Sequence, residues 1–191
     1  MNFKVTVGLS NKHIHLSKEH IDMLFGEGHV LTPIKDLSQP GQFACDEKVD
    51  LVGPKNTIKG VRILGPARKE TQVEISIADG MTLGIKNLCI RDSGKTEGTP
   101  GIKIVGPKGE VELSKGVIVA SRHIHMHTSD AQKYGLKDKD IVSVKVGGLR
   151  SLIFDNVLIR VNDEYSLDMH IDVEEGNAAG LKNGDEVEVI I

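Results

Sequence analysis

The sequence predicts a mostly β fold, arranged as two small barrels or sandwiches. Three observations carry this. One short string occurs twice, N-K-H-I-H-L at 11–16 and S-R-H-I-H-M at 121–126. Apolar residues alternate with polar ones over short runs that Gly, Pro and Asp-Gly turns interrupt, the period-2 signature of half-buried strands. No run of strands alternates with long helices, which argues against a doubly wound parallel sheet. Closing such strands into barrels also removes exposed edges.

The first alternating run, Val5 and Val7, continues through Gly8-Leu9-Ser10 to His15. Ser17 is placed to cap a short helix over residues 18–25, with Ile21, Leu24 and Phe25 at helical spacing and Gly26 stopping it. His20 falls inside this helix and reads as a surface residue; His29 lies in a Gly-rich turn. Strands are expected over 48–52, 58–64, 71–76 and 83–90, then 102–105, 111–113 and 116–120. The last of these is expected to run into the second histidine pair. Thr128 or Ser129 caps a second helix over 130–134, and Gly135 ends it. Further strands are expected at 141–144, 151–154, 156–161, 165–171 and 187–189, so the reading has two helices in all. The division between domains is placed in the flexible region 93–116, giving a first domain of about residues 1–100 and a second of about 101–191, with strand exchange between them allowed.

Composition bounds the function. The 191 residues are 39 % hydrophobic and 27 % charged, with four Phe, two Tyr and no Trp, so the core must rest on Val, Ile and Leu. Formal net charge is -3, and no long basic tract points to nucleic acid. No stretch is long and apolar enough to span a membrane, and the opening residues carry no signal peptide, so the expected location is the cytoplasm. Cys45 and Cys89 fit no Cys-x-x-Cys pattern and read as thiols in a reducing compartment. The oligomeric state is not legible; a homodimer is the common arrangement.

Four of the eight histidines lie in the repeated string. On a strand, His13 and His15 point to one face, as do His123 and His125, so each pair presents two imidazoles to one point. Imidazole suits zinc and similar borderline metals. Aligning T-Q-V-E-I-S at 71–76 with L-D-M-H-I-D at 167–172 puts Glu74 on His170. The metal reading is therefore two half-sites, His13, His15 and Glu74, then His123, His125 and His170, each with three ligands and an open position. If the halves face each other, the two metals act as a pair. Asp168 and Asp172 share the parity of His170 and are candidates to orient an imidazole. His127 shares the parity of the second pair and is a minor ligand candidate. Arg68 lies beyond a Gly-Pro turn, six residues before Glu74, and is a candidate anion clamp. Lys12 and Arg122 precede the two pairs and suit a salt bridge or a contact with a substrate tail.

The strings V-G-L-S-N-K-H-I-H-L-S at 7–17, L-G-P-A-R-K-E-T-Q-V-E-I-S at 64–76, S-R-H-I-H-M at 121–126 and M-H-I-D-V-E-E-G-N-A-A-G at 169–180 resemble the PduL-type phosphate acyltransferases, the phosphate propanoyltransferase family. The resemblance implies two β-barrel domains related by a pseudo-twofold axis, short helices capping them, and a site with two zinc ions per chain between the domains. It assigns the same six ligands and gives Arg68 the phosphate. It implies reversible conversion of a short-chain acyl-CoA and inorganic phosphate into acyl phosphate and CoA. For that reaction, charge argues that one zinc polarises the carbonyl and the other accepts the CoA sulfur. Lys12, the run V-E-E-G at 173–176 and His127 depart from the usual residues, none of them at a matched ligand. Members that enter microcompartments carry an amphipathic N-terminal segment, for which no room is expected before Val5. Two competing readings remain, a two-metal hydrolase and a binding module without turnover. Neither cysteine is expected to carry the acyl group.

Overall fold

In the computed structural model, which describes residues 2–191, the chain forms two units, each built on its own core. In chain order the strands are β1 (Phe3–Ser10), β2 (His13–His15), β3 (Pro33–Asp36), β4 (Phe43–Val52), β5 (Thr57–Gly65), β6 (Gln72–Glu74), β7 (Ile90–Arg91), β8 (Ile102–Val105), β9 (Glu110–Leu113), β10 (Val117–Ala120), β11 (His123–Met126), β12 (Ile141–Val146), β13 (Leu152–Val161), β14 (Asp168–Asp172) and β15 (Glu186–Ile190). The helices are α1 (Lys18–Phe25), α2 (Ile77–Leu83), α3 (Thr128–Tyr134) and α4 (Val173–Ala179). The mostly β fold with short helices is as expected.

One unit holds residues 2–11, 38–40 and 121–191; the other holds 12–37 and 41–120. The expected division near residue 100 therefore differs from the compact units. Residues 102–105 pair with β4, and 117–118 with β6, which ties them to the earlier part of the chain. Conversely β1 pairs with β14 and β15, so the first strand belongs with the C-terminal residues. The chain changes unit just before each histidine pair, at 11/12 and at 120/121. The strands expected to run unbroken into His15 and His125 are therefore each interrupted.

The first unit closes as a six-stranded barrel in the order β1-β14-β11-β13-β12-β15. The second is a nine-stranded curled sheet along β7-β10-β6-β2-β5-β4-β8-β9, with β3 beside β4. The internal repeat is visible in the pairing senses. In the barrel, β1/β14 is parallel, β14/β11 antiparallel and β11/β13 parallel. In the sheet, β10/β6, β6/β2 and β2/β5 repeat that series. The two differ at one strand. β1 is long enough to pair with β15 through Phe3–Thr6 and with β14 through Val7–Ser10. Its counterpart is split into β9, which pairs with β8, and β10, which pairs with β6. Between them lie Ser114-Lys115-Gly116, and Gly116 takes φ +121, where a Cβ would come 2.9 Å from the Thr71 carbonyl oxygen. A side chain there is strained and crowded at once.

Alternation builds both cores. Phe3, Val5 and Val7 point inward while Lys4 and Thr6 face water, and the interior of the barrel is filled by Val144, Val157, Ile159, Met169 and Val189. The sheet unit encloses Ile14, Leu16, Leu24, Leu51, Ile63, Ile104 and Val117. Burial of such side chains stabilises by about 1.5–3 kcal/mol each.

Helix α1 spans the expected residues, with Ser17 as its cap. Helix α3 is capped by His127, not Thr128 or Ser129. Two helices, α2 and α4, were not expected. Each begins with a capping box, Ser76 with Asp79 and Asp172 with Glu175, and ends on a glycine in the left-handed conformation. The span 83–90, expected as a strand, is instead the end of α2 and a loop; only Ile90–Arg91 pairs. Among the described residues no helix is long and apolar enough to cross a membrane.

Candidate metal centre and anion site

The two histidine strands present their donors in one register. His13 lies opposite Glu74 and His15 opposite Gln72; His123 lies opposite His170 and His125 opposite Asp168. Directly opposed residues on antiparallel strands share a face, so each HxH pair meets a third donor across the ladder. Within each set the ligating atoms lie within 4.8 Å of one another. The three members of the first set are buried, as are His123 and His125; His170 is half-buried.

In the first set His13 Nε2 is 3.4 Å and His15 Nε2 3.8 Å from the Glu74 carboxylate. Burial disfavours ionised Glu74, but His13, His15 and the Ser93 hydroxyl outweigh it and hold the carboxyl well below its usual range. Burial, then the charges of His13 and Arg68, push His15 down to about 3. His15 is therefore a neutral imidazole near pH 7, the form that ligates metals.

In the second set the Nε2 atoms of His123 and His125 are 3.1 Å apart. His123 Nδ1 is 2.7 Å from the Ser121 carbonyl oxygen, an acceptor only, so Nδ1 carries the proton and Nε2 is the nitrogen turned toward His125. His170 Nε2 lies 3.0 Å from Asp168 Oδ2 and 3.2 Å from Ser38 Oγ, and Thr6 Oγ1 donates to the other oxygen of Asp168. Burial raises the Asp168 pKa less than these partners lower it. The chemistry of both donor sets, imidazoles with one carboxylate in or beside each, fits a divalent borderline cation.

Arg68 sits at the edge of the first set. Its Nη1 donates to Ser93 Oγ at 3.2 Å, and Ser93 donates to Glu74 Oε1 at 2.7 Å. Gln72 Nε2 donates both to Glu74 Oε1 at 2.6 Å and to Ser93 Oγ at 2.9 Å, while the Gly94 N–H donates to Gln72 Oε1. The backbone of Arg68 is anchored by its N–H on the Leu16 carbonyl, directly after the histidine strand.

Other sequence candidates fall elsewhere. Asp168 contacts an imidazole, but Asp172 serves as the N-cap of α4. His127 is spent on the N-terminus of α3, accepting from Ser129 N–H, and joins neither donor set. His20 is bound to Thr71 and His29 to Glu47. Lys12 pairs with Asp79 at 3.1 Å and Arg122 with Glu175 at 3.0 Å, which settles on the salt bridge of the two roles expected. Cys45 is fully buried, and burial, with Glu47 nearby, pushes its thiol up to about 11. Gln72, Ser93, Ser38 and Thr6 had not been singled out from the sequence. Gln72 shares strand parity with Glu74, a usable signal; Ser93 lies in a segment that reads only as flexible.

A closed barrel and a curled sheet, each carrying one three-donor set of a kind that could hold a metal ion, define the class: a mostly β protein with a repeated histidine site. The chain belongs to the phosphate propanoyltransferase family: the family's sequence profile matches residues 6–182. It is 57 % identical over 187 residues to a phosphate propanoyltransferase of Thermotoga maritima, covering 97 % of this chain and 89 % of that one. It is 55 % identical over 186 residues to that of Clostridioides difficile, covering 97 % and 88 %, and 58 % identical over 179 residues to that of Sebaldella termitidis, covering 93 % and 84 %.

Proposed function

We propose that this protein is a zinc-dependent phosphate acyltransferase that interconverts a short-chain acyl-CoA plus inorganic phosphate with acyl phosphate plus CoA. The observation that carries this, beside family membership, is the repeated register in which His13 and His15 meet Glu74, and His123 and His125 meet His170. His13, His15 and Glu74 would hold one zinc, and His123, His125 and His170 the other. Zinc bound by such sets supplies Lewis acidity toward a carbonyl oxygen and affinity for a thiolate.

The chain's own residues supply orientation and charge. Arg68 is the phosphate clamp: its guanidinium offers a planar fork of donors, and Ser93 fixes one arm of that fork. Holding phosphate there offsets its loss of orientational freedom and its repulsion from Glu74. The phosphate oxygen bonds to the acyl carbon as the carbon–sulfur bond breaks, and the departing thiolate becomes the CoA thiol by taking the proton that hydrogen phosphate gives up. Phosphate is largely ionised near neutral pH, so attack needs no general base. The Cys45 thiol, protonated and buried, is unsuited to carry the acyl group.

The test uses a panel of short acyl-CoAs, assayed with and without phosphate, on protein whose zinc content is measured. Thiol release that requires phosphate, with about two zinc ions per chain, supports the reading. Phosphate-independent release makes the protein a hydrolase, and zinc-bearing protein without turnover makes it a binding module. Arg68→Ala should raise the phosphate constant more than Arg68→Lys does, with zinc content unchanged.

A further inference from the structure

Each third donor has a buried neighbour two residues before it on the same strand face, and the two neighbours are chemically opposite. Glu74 is met by Gln72, whose amide donates to Oε1 at 2.6 Å. His170 is met by Asp168, whose carboxylate lies 3.0 Å from Nε2. Gln72 is 2 % and Asp168 6 % exposed, and they occupy the same register position, opposite His15 and His125. Each is itself held, Gln72 by the Gly94 N–H and Asp168 by the Thr6 hydroxyl. Where the ligand is an anion, the neighbour is a neutral donor; where the ligand is neutral, the neighbour is the anion.

We infer that Gln72 and Asp168 are positioning residues that give the two half-sites equal charge, so that each third ligand works only with its own neighbour. Counting side-chain charge formally, with histidine taken as zero, His13, His15, Gln72 and Glu74 carry one negative charge. His123, His125, Asp168 and His170 also carry one. Two divalent cations would then be neutralised to the same extent although one set has a carboxylate ligand and the other has none. Exchanging a single member breaks the match. Glu74→His leaves the first set without a negative charge, and His170→Glu puts two carboxylates side by side in the second. Exchanging both members restores it.

This inference rests on the metal reading above, and the experiment separates the two. Zinc affinity at each half-site is measured by chelator competition, with stoichiometry by elemental analysis, on the full chain. Glu74→His should weaken the first half-site by about tenfold to a hundredfold, the usual effect of disturbing a ligand's support. Gln72→Asp added to Glu74→His should recover affinity to within about threefold of the parent protein, while the second half-site is unchanged and reports an intact fold. Recovery no better than Glu74→His alone overturns the inference. Should the double variant fail to fold, Asp168→Asn, which keeps the side-chain shape, decides it: a loss of about tenfold or more at the second half-site only supports the inference, and unchanged affinity overturns it. If the parent protein binds no zinc, the metal reading fails and takes this inference with it. If the parent binds two and the pairs show no coupling, this inference alone fails.

Discussion

Ser93 joins the proposed phosphate arginine to a proposed metal ligand through a single oxygen. It donates to Glu74 Oε1 at 2.7 Å and accepts from Arg68 Nη1 at 3.2 Å and from Gln72 Nε2 at 2.9 Å. Ser93→Ala removes all three contacts and no ligand. A hydrogen bond to a charged group is worth about 1.5–3 kcal/mol. Gln72 still serves Glu74 Oε1 in the variant, so the low end of that range applies there. About 1.4 kcal/mol is tenfold in a binding constant, so zinc at the first half-site should bind about tenfold more weakly. Arg68 loses one fixed arm, and the Michaelis constant for phosphate should rise by a similar or smaller factor, with that for acyl-CoA moving less. Ser93→Thr keeps the hydroxyl and should retain most of both. The assay pairs chelator competition with initial rates in which each substrate is varied. A Ser93→Ala protein whose first-site affinity and phosphate constant both stay within about twofold of the parent would refute the linkage, since that is below the effect of losing one such bond.

Three further outcomes are expected. Replacing Cys45 and Cys89 together by Ala should leave most turnover intact, and an acyl group trapped on either thiol, with loss of activity in its variant, would replace direct attack with covalent catalysis. Gly101→Ala puts a Cβ 1.8 Å from the Leu113 carbonyl oxygen, which is backbone and cannot swing aside, so urea unfolding should show a loss of about 1–3 kcal/mol; Gly147→Ala, with nothing within 4 Å, should stay within about 0.5 kcal/mol. Burial opposes ionisation of Glu47, but the Thr32 backbone N–H and His29 together outweigh it and leave its pKa below the ordinary glutamate value. Its contribution to stability is therefore full above that value and is lost as pH falls through the lower folded one, so Glu47→Gln should cost stability at pH 7 and close to none once the pH lies below both.

The donor sets were legible because a strand's period is 2. Residue spacing alone put His13 with His15 and His123 with His125, and the repeat put Glu74 on His170; in the ladders His13 lies opposite Glu74 and His123 opposite His170. The same parity would have found Gln72, but an amide beside a carboxylate gives no charge signal in a sequence. Ser93 had no signal, because its place is set by a loop that packs against β6 from nineteen residues further along the chain. Helices α2 and α4 were hidden by their brevity. Each is seven residues and carries a glycine, Gly80 or Gly176, inside it. Those glycines lower helix propensity, yet a Cβ at either would come 2.4 Å from Leu88 or 2.5 Å from Leu9. Packing against a leucine decides those positions, and packing is not a local property of the sequence. The compact units depart from the expected division for a related reason: the flexible composition of 93–101 suggested a linker, while the chain changes unit through ordinary-looking residues at 11/12 and 120/121.

The capping boxes explain how those changes of unit are kept in register. The third helical residue after each N-cap, Asp79 or Glu175, accepts from its N-cap's backbone N–H and also meets the cation just before the histidine pair, Lys12 or Arg122. Both ion pairs are partly exposed, so each contributes about 1 kcal/mol or less to stability. Their consequence is geometric. The helix after the third-donor strand holds the residue that introduces the histidine strand, so the two strands are tied at that end as well as along their ladder. Arg122 is further braced by the Phe154 ring at 5.2 Å, and Glu175 is raised in pKa because burial outweighs the pull of Arg122. A donor set that must hold three ligand atoms within 4.8 Å depends on strand register more than on strand stability. A slip of one residue would turn every imidazole to the opposite face. The repeated placement of a cation, an HxH strand, a third donor and an acidic capping residue is thus a register device, built twice from the same parts.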